Sequence, residues 1–256
     1  MSGIVEQRVA IEGGAILADA SESGNAAIAW FSAHPAFDSI AVAAGQVAVA
    51  KGRGGAFFLD VANHRWVMRP YRRGGFMALL SLNRYLWTAE ANVRSFREWR
   101  TLAVLYSAGL PVPRPIAARF RRGQFSYRAD LITERLENTE PLSARLEIEP
   151  VSLAHWIAIG RSLRRLHEAA AYHADLNAHN ILLGRDEGVF VIDFDRGGIR
   201  RPGAWRDSNL TRLYRSLRKV TAALPPDRFG DTEWGTLLAG YRSVGAVPRD
   251  ATDGSA

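Results

Sequence analysis

The chain has 256 residues, a formal net charge of +7 and no cysteine. Its 47% of hydrophobic and 23% of charged residues exclude a disordered or fibrous protein, and the lack of cysteine excludes disulfides, a thiol nucleophile and a Cys-ligated metal. The lysines are only Lys51 and Lys219, so arginine supplies nearly all the positive charge. That charge predicts an acidic partner (nucleic acid, an anionic membrane or a phosphorylated ligand), unless it reflects only a GC-rich genome.

The apolar segments do not predict a membrane-spanning protein. No uncharged apolar run reaches about 18 residues, the length that indicates a transmembrane helix. The N-terminus carries Glu6, Arg8 and Glu12 and has no long apolar core, so it is not expected to be a secretory signal. If the protein meets a membrane, we expect contact from the surface.

The first half of the chain reads mainly as strands. A weakly alternating segment at 46–50 leads into a glycine-rich stretch at 51–55, and strands at 56–61 and 65–71 follow as a hairpin. Apolar residues at helical spacing predict a helix over 94–108, which Gly109 closes. Two further strands are expected at 116–121 and 127–133, around a turn at Arg122-Gly123.

The second half reads mainly as helices. Helices are predicted over 152–170, 205–224 and 229–244, with short strands at 181–183 and 189–192. The change from strands to helices predicts an α+β protein with a β-rich domain at 1–135 and a helical domain at 136–256.

The strongest chemical signal is a polar loop between a long helix and two short strands. It reads His173-Ala174-Asp175-Leu176-Asn177-Ala178-His179-Asn180, and Asp193-Phe194 follows the second strand. Phosphoryl transfer needs a carboxylate to orient the acceptor hydroxyl and take its proton, and Asp175 suits that role. It also needs hard oxygen ligands for Mg²⁺, which Asn180 and Asp193 can supply. This order resembles the catalytic loop and Asp-Phe element of protein kinases, whereas His173 is expected to pack and hydrogen-bond.

The strand-rich half offers matching groups for a nucleotide. The loop Gly52-Arg53-Gly54-Gly55 lacks the side chains that would keep backbone N–H groups from phosphates. At the position of the usual kinase lysine stands Arg69, and Glu98 on the inner face of the following helix is predicted to pair with it. Lys51 is the alternative phosphate ligand.

The adenine edge is expected to meet the backbone just after the strand at 129–132. Thr133 would border the adenine pocket, and the backbones of Glu134 and Leu136 would face the base. This assignment follows from the kinase resemblance.

A narrower resemblance rests on five segments: 51–55, 67–75, 95–98, 109–115 and 172–182. With the catalytic loop, they resemble the 3-deoxy-D-manno-octulosonic acid (Kdo) kinase family over roughly residues 6 to 224. The resemblance implies a bilobal protein-kinase-like fold, with a small β-rich N-lobe, a mostly helical C-lobe and a nucleotide cleft between them.

The implied activity is transfer of the ATP γ-phosphate, with Mg²⁺, to the 4-hydroxyl of a Kdo residue on a lipid A precursor. The implied location is peripheral, at the cytoplasmic face of the bacterial inner membrane, on an anionic surface. Neither nucleic acid nor an obligate protein partner is expected. Asp195 replaces the glycine that usually follows Asp-Phe, and no Ala-Pro-Glu element follows, which weighs against a protein substrate.

Further basic positions remain open between binding and plain solvation. Arg72 and Arg73 could bind the acidic sugar or lipid phosphate, and His179 could contact the substrate. The segment from Arg119 to Arg122 reads as another basic turn. Two alternative functions also remain: a kinase for another core sugar such as heptose, and a non-catalytic kinase-like module that binds nucleotide or anionic lipid. A nucleic-acid binder is a weaker third, because no reader motif is present.

Overall fold

A computed structural model of the chain describes residues 3–34, 55–71 and 85–243. Within these ranges the strands are β1 (Glu6–Ile11), β2 (Gly14–Asp19), β3 (Phe57–Val61), β4 (His64–Pro70), β5 (Tyr85–Leu86), β6 (Pro115–Arg122), β7 (Ser126–Glu134), β8 (Glu140–Pro141), β9 (Ala171–Tyr172), β10 (Ile181–Leu183), β11 (Val189–Val191) and β12 (Gly198–Ile199). The α-helices are α1 (Glu22–Ala33), α2 (Arg94–Ser107), α3 (Leu142–Ile148), α4 (Leu153–Glu168), α5 (Trp205–Val220) and α6 (Asp231–Ser243).

The chain folds into two compact units. The first comprises Met1–Glu137, Tyr172–Asp175 and Val191–Arg200, and the second comprises Asn138–Ala171, Leu176–Phe190 and Arg201–Ala256.

The first unit is built on an antiparallel sheet whose strand order is β1-β2-β6-β7-β4-β3, with β5 paired to β7. Alternation along β6 explains how both faces of this sheet are covered. The Arg119 guanidinium lies 4.5 Å from the Phe31 ring of α1, whereas the next ring, Phe120, meets Phe96 of α2 at 5.2 Å. Helices α1 and α2 therefore pack on opposite faces, and β6 is buried over most of its length.

A charged pair lies inside this sheet. Arg119 and Asp130 are both fully buried, and the Arg119 Nε and Nη2 groups donate to Asp130 Oδ2 at 3.1 and 2.7 Å. Arg119 Nη1 also donates to the carbonyl of His34 at 2.7 Å, just after α1 ends. Arg119 thus pairs with one oxygen of a buried carboxylate and with the carbonyl that ends a helix, and its prediction as part of a surface turn is wrong. Its neighbours Arg121 and Arg122 are the last two residues of β6, just before the turn.

The second unit is mainly helical. Helices α4 and α6 pack backbone to backbone, because a Cβ on Gly160 would lie 2.0 Å from the carbonyl oxygen of Leu237, and one on Gly240 would lie 2.3 Å from that of Ile157. Short strands run in the order β11-β10-β8, and β8 and β10 contact α3.

The predicted mixture of strands and helices is confirmed, and most predicted elements lie within a few residues of their observed bounds. The N-terminal hairpin β1–β2, helix α1 and helix α3 were not predicted. The segment 46–50 lies outside the described residues, and the domain boundary near residue 135 stays a prediction. No helix in the described part of the chain is long and apolar enough to cross a membrane.

Candidate active site

The predicted contact between Arg69 and Glu98 is present in the first unit. Arg69 lies near the end of β4, on the face opposite the buried Trp66 and Met68, and its Nη2 donates to both carboxylate oxygens of Glu98 at 2.5 Å. Glu98 lies on the buried face of α2, and its side chain is only 2% exposed. The guanidinium therefore ties the helix to the sheet through a desolvated carboxylate.

Tyr71 completes the coordination of this carboxylate. It lies two residues after Arg69, on the same side of the extended chain, and its hydroxyl donates to Glu98 Oε2. The Tyr71 N–H donates to the carbonyl of Ala129 at 2.9 Å, which continues the β4–β7 pairing past Pro70. Glu98 thus accepts hydrogen bonds from the buried Tyr71 hydroxyl and from the partly exposed Arg69 guanidinium.

The same guanidinium also contacts Asp193, because Arg69 Nη1 pairs with Asp193 Oδ1. Burial disfavours the charged form of Arg69, but attraction to Glu98, Tyr71 and Asp193 outweighs that effect, so its pKa is raised. Burial raises the pKa of Glu98 and the nearby Asp193 charge raises it further, while Arg69 lowers it. Two carboxylates therefore share one cation, which leaves an excess negative charge among these groups.

Asp193 adopts an unusual backbone conformation. Its φ is +67°, in the left-handed region that non-glycine residues rarely occupy. Its side chain is 37% exposed, unlike that of Glu98. The chain thus keeps a carboxylate at a position where glycine would be less strained, which indicates that the carboxylate has a role there.

His173 connects Asp175 to Ile192, the residue just before Asp193. The Asp175 N–H donates to His173 Nδ1 at 3.1 Å, so His173 Nε2 carries the proton and donates to the carbonyl of Ile192 at 2.9 Å. Burial lowers the pKa of His173, which favours this neutral tautomer. The prediction that His173 packs and hydrogen-bonds is confirmed, and its ring also meets Phe194 edge-on at 4.8 Å. The Asp175 side chain itself is exposed.

A second arginine holds the residue that replaces the usual glycine. Arg94, at the start of α2, donates from Nε to Asp195 Oδ1 at 2.7 Å and pairs through Nη2 with Oδ2. Its guanidinium also lies 4.8 Å from the Tyr85 ring. Both acidic residues of the Asp193-Phe194-Asp195 segment are therefore bound by arginines of the same unit.

The remaining catalytic-loop residues belong to the second unit. Asn177 Oδ1 accepts the N–H of His179 at 2.9 Å and begins a short 3₁₀ turn that ends at Asn180, whose side chain is largely buried. His179 is exposed, and its Nδ1 lies 2.7 Å from the hydroxyl of Ser143. Its predicted contact with substrate stays a prediction.

The predicted adenine-binding backbone lies at the end of β7. The Glu134 N–H donates to the carbonyl of Arg114 at 2.8 Å, and the Arg135 N–H donates to the carbonyl of Arg65 at 3.0 Å. The strand ends at Glu134, so Leu136 lies just beyond it.

Several predicted residues lie outside the described ranges: Lys51, Gly52, Arg53, Gly54, Arg72 and Arg73. Gly55 is described, with a φ of +69° that favours glycine. The choice between Arg69 and Lys51 as the phosphate ligand stays a prediction, although Arg69 pairs with Glu98 as predicted.

Sequence reasoning missed the roles of Tyr71 and Arg94. The spacing of Arg69 and Tyr71, two residues apart on one strand, could have indicated a shared face. The Arg94–Asp195 pair joins residues 101 positions apart, and no local pattern predicts it.

Three features define a phosphotransferase of the kinase type: the pairing of Arg69 with the buried Glu98, the strained Asp193 on the same guanidinium, and the histidine that positions Asp175. Comparison with known proteins agrees. Residues 40–241 match the model of the lipopolysaccharide kinase (Kdo/WaaP) family, and the chain belongs to that family.

Relatives named 3-deoxy-D-manno-octulosonic acid kinase resemble this chain over most of its length. One from Haemophilus influenzae (strain 86-028NP) is 40% identical over 200 residues, which cover 75% of this chain and 83% of the relative. One from Xanthomonas campestris pv. campestris (strain B100) is 46% identical over 170 residues, covering 66% and 68%. One from Xylella fastidiosa (strain M23) is 42% identical over 200 residues, covering 78% and 73%.

Proposed function

We propose that this protein is a Kdo kinase, which transfers the γ-phosphate of ATP to the 4-hydroxyl of a Kdo residue on a lipid A precursor during lipopolysaccharide core assembly. One observation carries the proposal: a single network of contacts runs from Asp175 through His173 to Ile192, and from the adjacent Asp193 through Arg69 to Glu98. Such a network fixes the acceptor-side and phosphate-side groups relative to one another.

The two-unit chain is proposed to be bilobal and kinase-like, with nucleotide bound in a cleft between a β-rich N-lobe and a helical C-lobe. The backbones of Glu134 and Leu136 would meet the adenine edge. Gly52, Arg53, Gly54 and Gly55 would cover the phosphates, and Arg69 would steady the α- and β-phosphates. The pairing of Arg69 with Glu98 supports this role, because it holds the guanidinium in one place.

The donor set fits Mg²⁺. Among the described residues, no group of three or more acidic or histidine side chains forms a cage, and Mg²⁺ is commonly held by one or two protein oxygens together with substrate phosphates. The Asp193 carboxylate and the Asn180 amide oxygen would hold it, and the excess negative charge around Arg69 favours a cation. Bound Mg²⁺ would neutralise charge on the transferred phosphate.

Asp175 would act as the general base. Its exposed carboxylate can reach an acceptor hydroxyl, orient it and take its proton. The His173 ring fixes the Asp175 backbone by accepting its N–H, so the carboxylate starts from a defined position. Arg72, Arg73 and His179 are the candidates for binding the acidic sugar.

The test replaces Asp175 with asparagine, which keeps the size and removes the base. We expect Asp175→Asn to slow transfer of labelled phosphate to a Kdo-terminated lipid A precursor by about 10²- to 10⁴-fold. Asp186→Asn is the control, because Asp186 is exposed in the turn between β10 and β11 and should keep full activity. Transfer by Asp175→Asn at the control rate would refute the assignment.

Acceptor specificity needs a separate comparison. We expect faster transfer to a Kdo-terminated acceptor than to a heptose-terminated one, and the reverse order would make the protein a kinase for another core sugar. Absence of Mg²⁺-dependent ATP consumption with every acceptor would favour the non-catalytic module. The lipid acceptor supports a peripheral location on an anionic surface, at the cytoplasmic face of the inner membrane. We propose that the enzyme requires neither nucleic acid nor an obligate protein partner.

A further inference from the structure

Large apolar side chains are exposed at the β6–β7 turn and on the neighbouring strand β5, where they do not contribute to the core. Phe125 in this turn is 72% exposed and Leu86 on β5 is 71% exposed, and they are the two most exposed large hydrophobic residues in the described part of the chain. They are neighbours, because Leu86 pairs with Ser126 and the Trp87 N–H donates to the carbonyl of Phe125 at 3.1 Å. We call Leu86, Trp87, Phe125 and the arginines beside them, Arg121 and Arg122, the sheet tip.

The sheet tip is held rigidly. The Trp87 ring stacks on Phe120 at 5.3 Å, and the guanidinium of Arg122 lies 4.9 Å from the Trp87 ring. The turn is closed by the Gly123 N–H, which donates to the carbonyl of Ser126 at 2.6 Å. The exposed side chains are therefore presented by a braced hairpin, and their exposure needs an explanation in terms of a partner.

The charges of the sheet tip indicate that the partner is anionic. Arg121 lies directly opposite Arg128 in the β6–β7 register, and like charges at opposed positions destabilise a sheet. Arg122 adds a third positive charge. The β1–β2 turn contacts this hairpin, because the Arg122 N–H donates to the carbonyl of Gly13. That turn contributes one carboxylate, Glu12. A partner that supplies negative charge would complement Arg121 and Arg122.

We propose that the sheet tip docks on an anionic lipid bilayer, with Leu86 and Phe125 inserted at the acyl boundary and Arg121 and Arg122 on lipid phosphates. A protein partner would need about 800 Å² of surface on each side, whereas a bilayer accepts a few inserted side chains. Aromatic residues with flanking arginines suit the interface between headgroups and acyl chains. This inference rests on the proposed function, because a lipid-linked acceptor places the enzyme at a membrane.

The first experiment measures co-sedimentation with vesicles of phosphatidylglycerol and phosphatidylethanolamine. The double variant Leu86→Ser/Phe125→Ser should lose about tenfold in partition coefficient for each side chain withdrawn from the membrane. Val104→Ser is the matched control, because Val104 is an exposed apolar residue on α2. Equal binding by wild type and the double variant would overturn the proposal.

Charge is tested with Arg121→Gln/Arg122→Gln, for which Arg185→Gln on an exposed turn is the control. Binding to phosphatidylglycerol vesicles should fall about fivefold for each arginine removed, with little change on purely zwitterionic vesicles. Unaltered binding to anionic vesicles would contradict the role of the arginines. Capture of an unrelated protein with no vesicle binding would show that the tip serves a protein partner instead.

Insertion can be observed directly, because the chain has no cysteine. A polarity-sensitive fluorophore on Phe125→Cys should shift to the blue on anionic vesicles, and the same label on Val104→Cys should not. Phosphate transfer to a deacylated, water-soluble Kdo acceptor separates the two hypotheses. The tip variants should keep the wild-type activity on that soluble acceptor. If wild type fails to phosphorylate the lipid-linked Kdo acceptor, the proposed function is refuted and the docking measurement still stands.

Discussion

The Arg69–Glu98 pair allows a quantitative test of how this site is held together. In Arg69→Met, the Glu98 carboxylate, 2% exposed, would lose the guanidinium nitrogen that contacts both of its oxygens and keep the Tyr71 hydroxyl. Removing one partner of a buried ion pair costs about 3–5 kcal/mol, because the other charge stays desolvated. We expect a loss of that size in the free energy of unfolding.

The double variant separates the charge from the packing. In Arg69→Met/Glu98→Gln no uncompensated charge is buried, so the loss should fall to about 1–2 kcal/mol, the scale of a missing hydrogen bond. The two single losses should therefore exceed the double loss by at least about 2 kcal/mol.

Urea unfolding followed by circular dichroism measures all four states of this cycle. The control is Arg164→Met, which removes an exposed helical pair with Glu168 at 2.8 Å and should cost less than about 1 kcal/mol. If the two single losses in free energy of unfolding add up to the double loss within about 0.5 kcal/mol, the reasoning is refuted, because the effects of independent residues are additive.

Three further outcomes follow from other contacts. Arg94→Met frees Asp195, and because it disturbs the Asp193 segment without touching substrate, it should lower kcat about 10- to 100-fold with little change in KM. Arg119→Met leaves the buried Asp130 without its cation and should lower the free energy of unfolding in urea by about 3–5 kcal/mol. The double variant Arg119→Met/Asp130→Leu should recover most of that loss. Burial lowers the pKa of His167 to about 4 in the native state, whereas its pKa in the unfolded chain is about 6.5. Between these two pH values the unfolded chain therefore binds a proton that the native state does not bind. Stability should therefore fall by about 1.4 kcal/mol per pH unit as the pH drops from 6.5 towards 4.

Each outcome has a matched control. Arg97→Met, an exposed arginine on the same helix as Arg94, should leave kcat unchanged, and equal losses in both would contradict a specific role for the Asp195 contact. For the buried pair, a double variant no more stable than Arg119→Met would show that packing decides the loss. His167→Gln keeps a hydrogen-bond partner for the Tyr241 hydroxyl, 2.8 Å away, and should flatten the acid slope; an unchanged slope would assign it to other groups.

The sequence predicted elements whose periodicity is local. The hairpin β3–β4 and helix α2 begin and end close to the predicted bounds, because one face of each is apolar at the expected period. Strand β2 was missed because it is buried along nearly its whole length, so its residues do not alternate. Helix α1 has Gly24 and Asn25 in its first turns, which weaken its local signal.

The same distinction applies to the candidate site. The Arg69–Glu98 contact was predictable because Glu98 lay on the inward face of its helix and needed a cation, and because Arg69 stands where the kinase resemblance places a lysine. Arg119 was assigned to a surface turn because its partner, Asp130, lies across the hairpin, and sequence spacing alone does not reveal burial. The Arg94–Asp195 contact depends on the folded chain as a whole.

The N-terminal hairpin also protects the sheet from association with other chains. It precedes residue 40, where the match to the family model begins, and it covers the side of β6 that would otherwise present unpaired N–H and C=O groups. Strand β1 then becomes the outermost strand, and it carries Glu6 and Arg8, paired with Arg100 and Glu90. Charged side chains on an edge strand oppose pairing with a second sheet. The hairpin therefore replaces an apolar edge with a charged one, and this helps keep an arginine-rich sheet from aggregating.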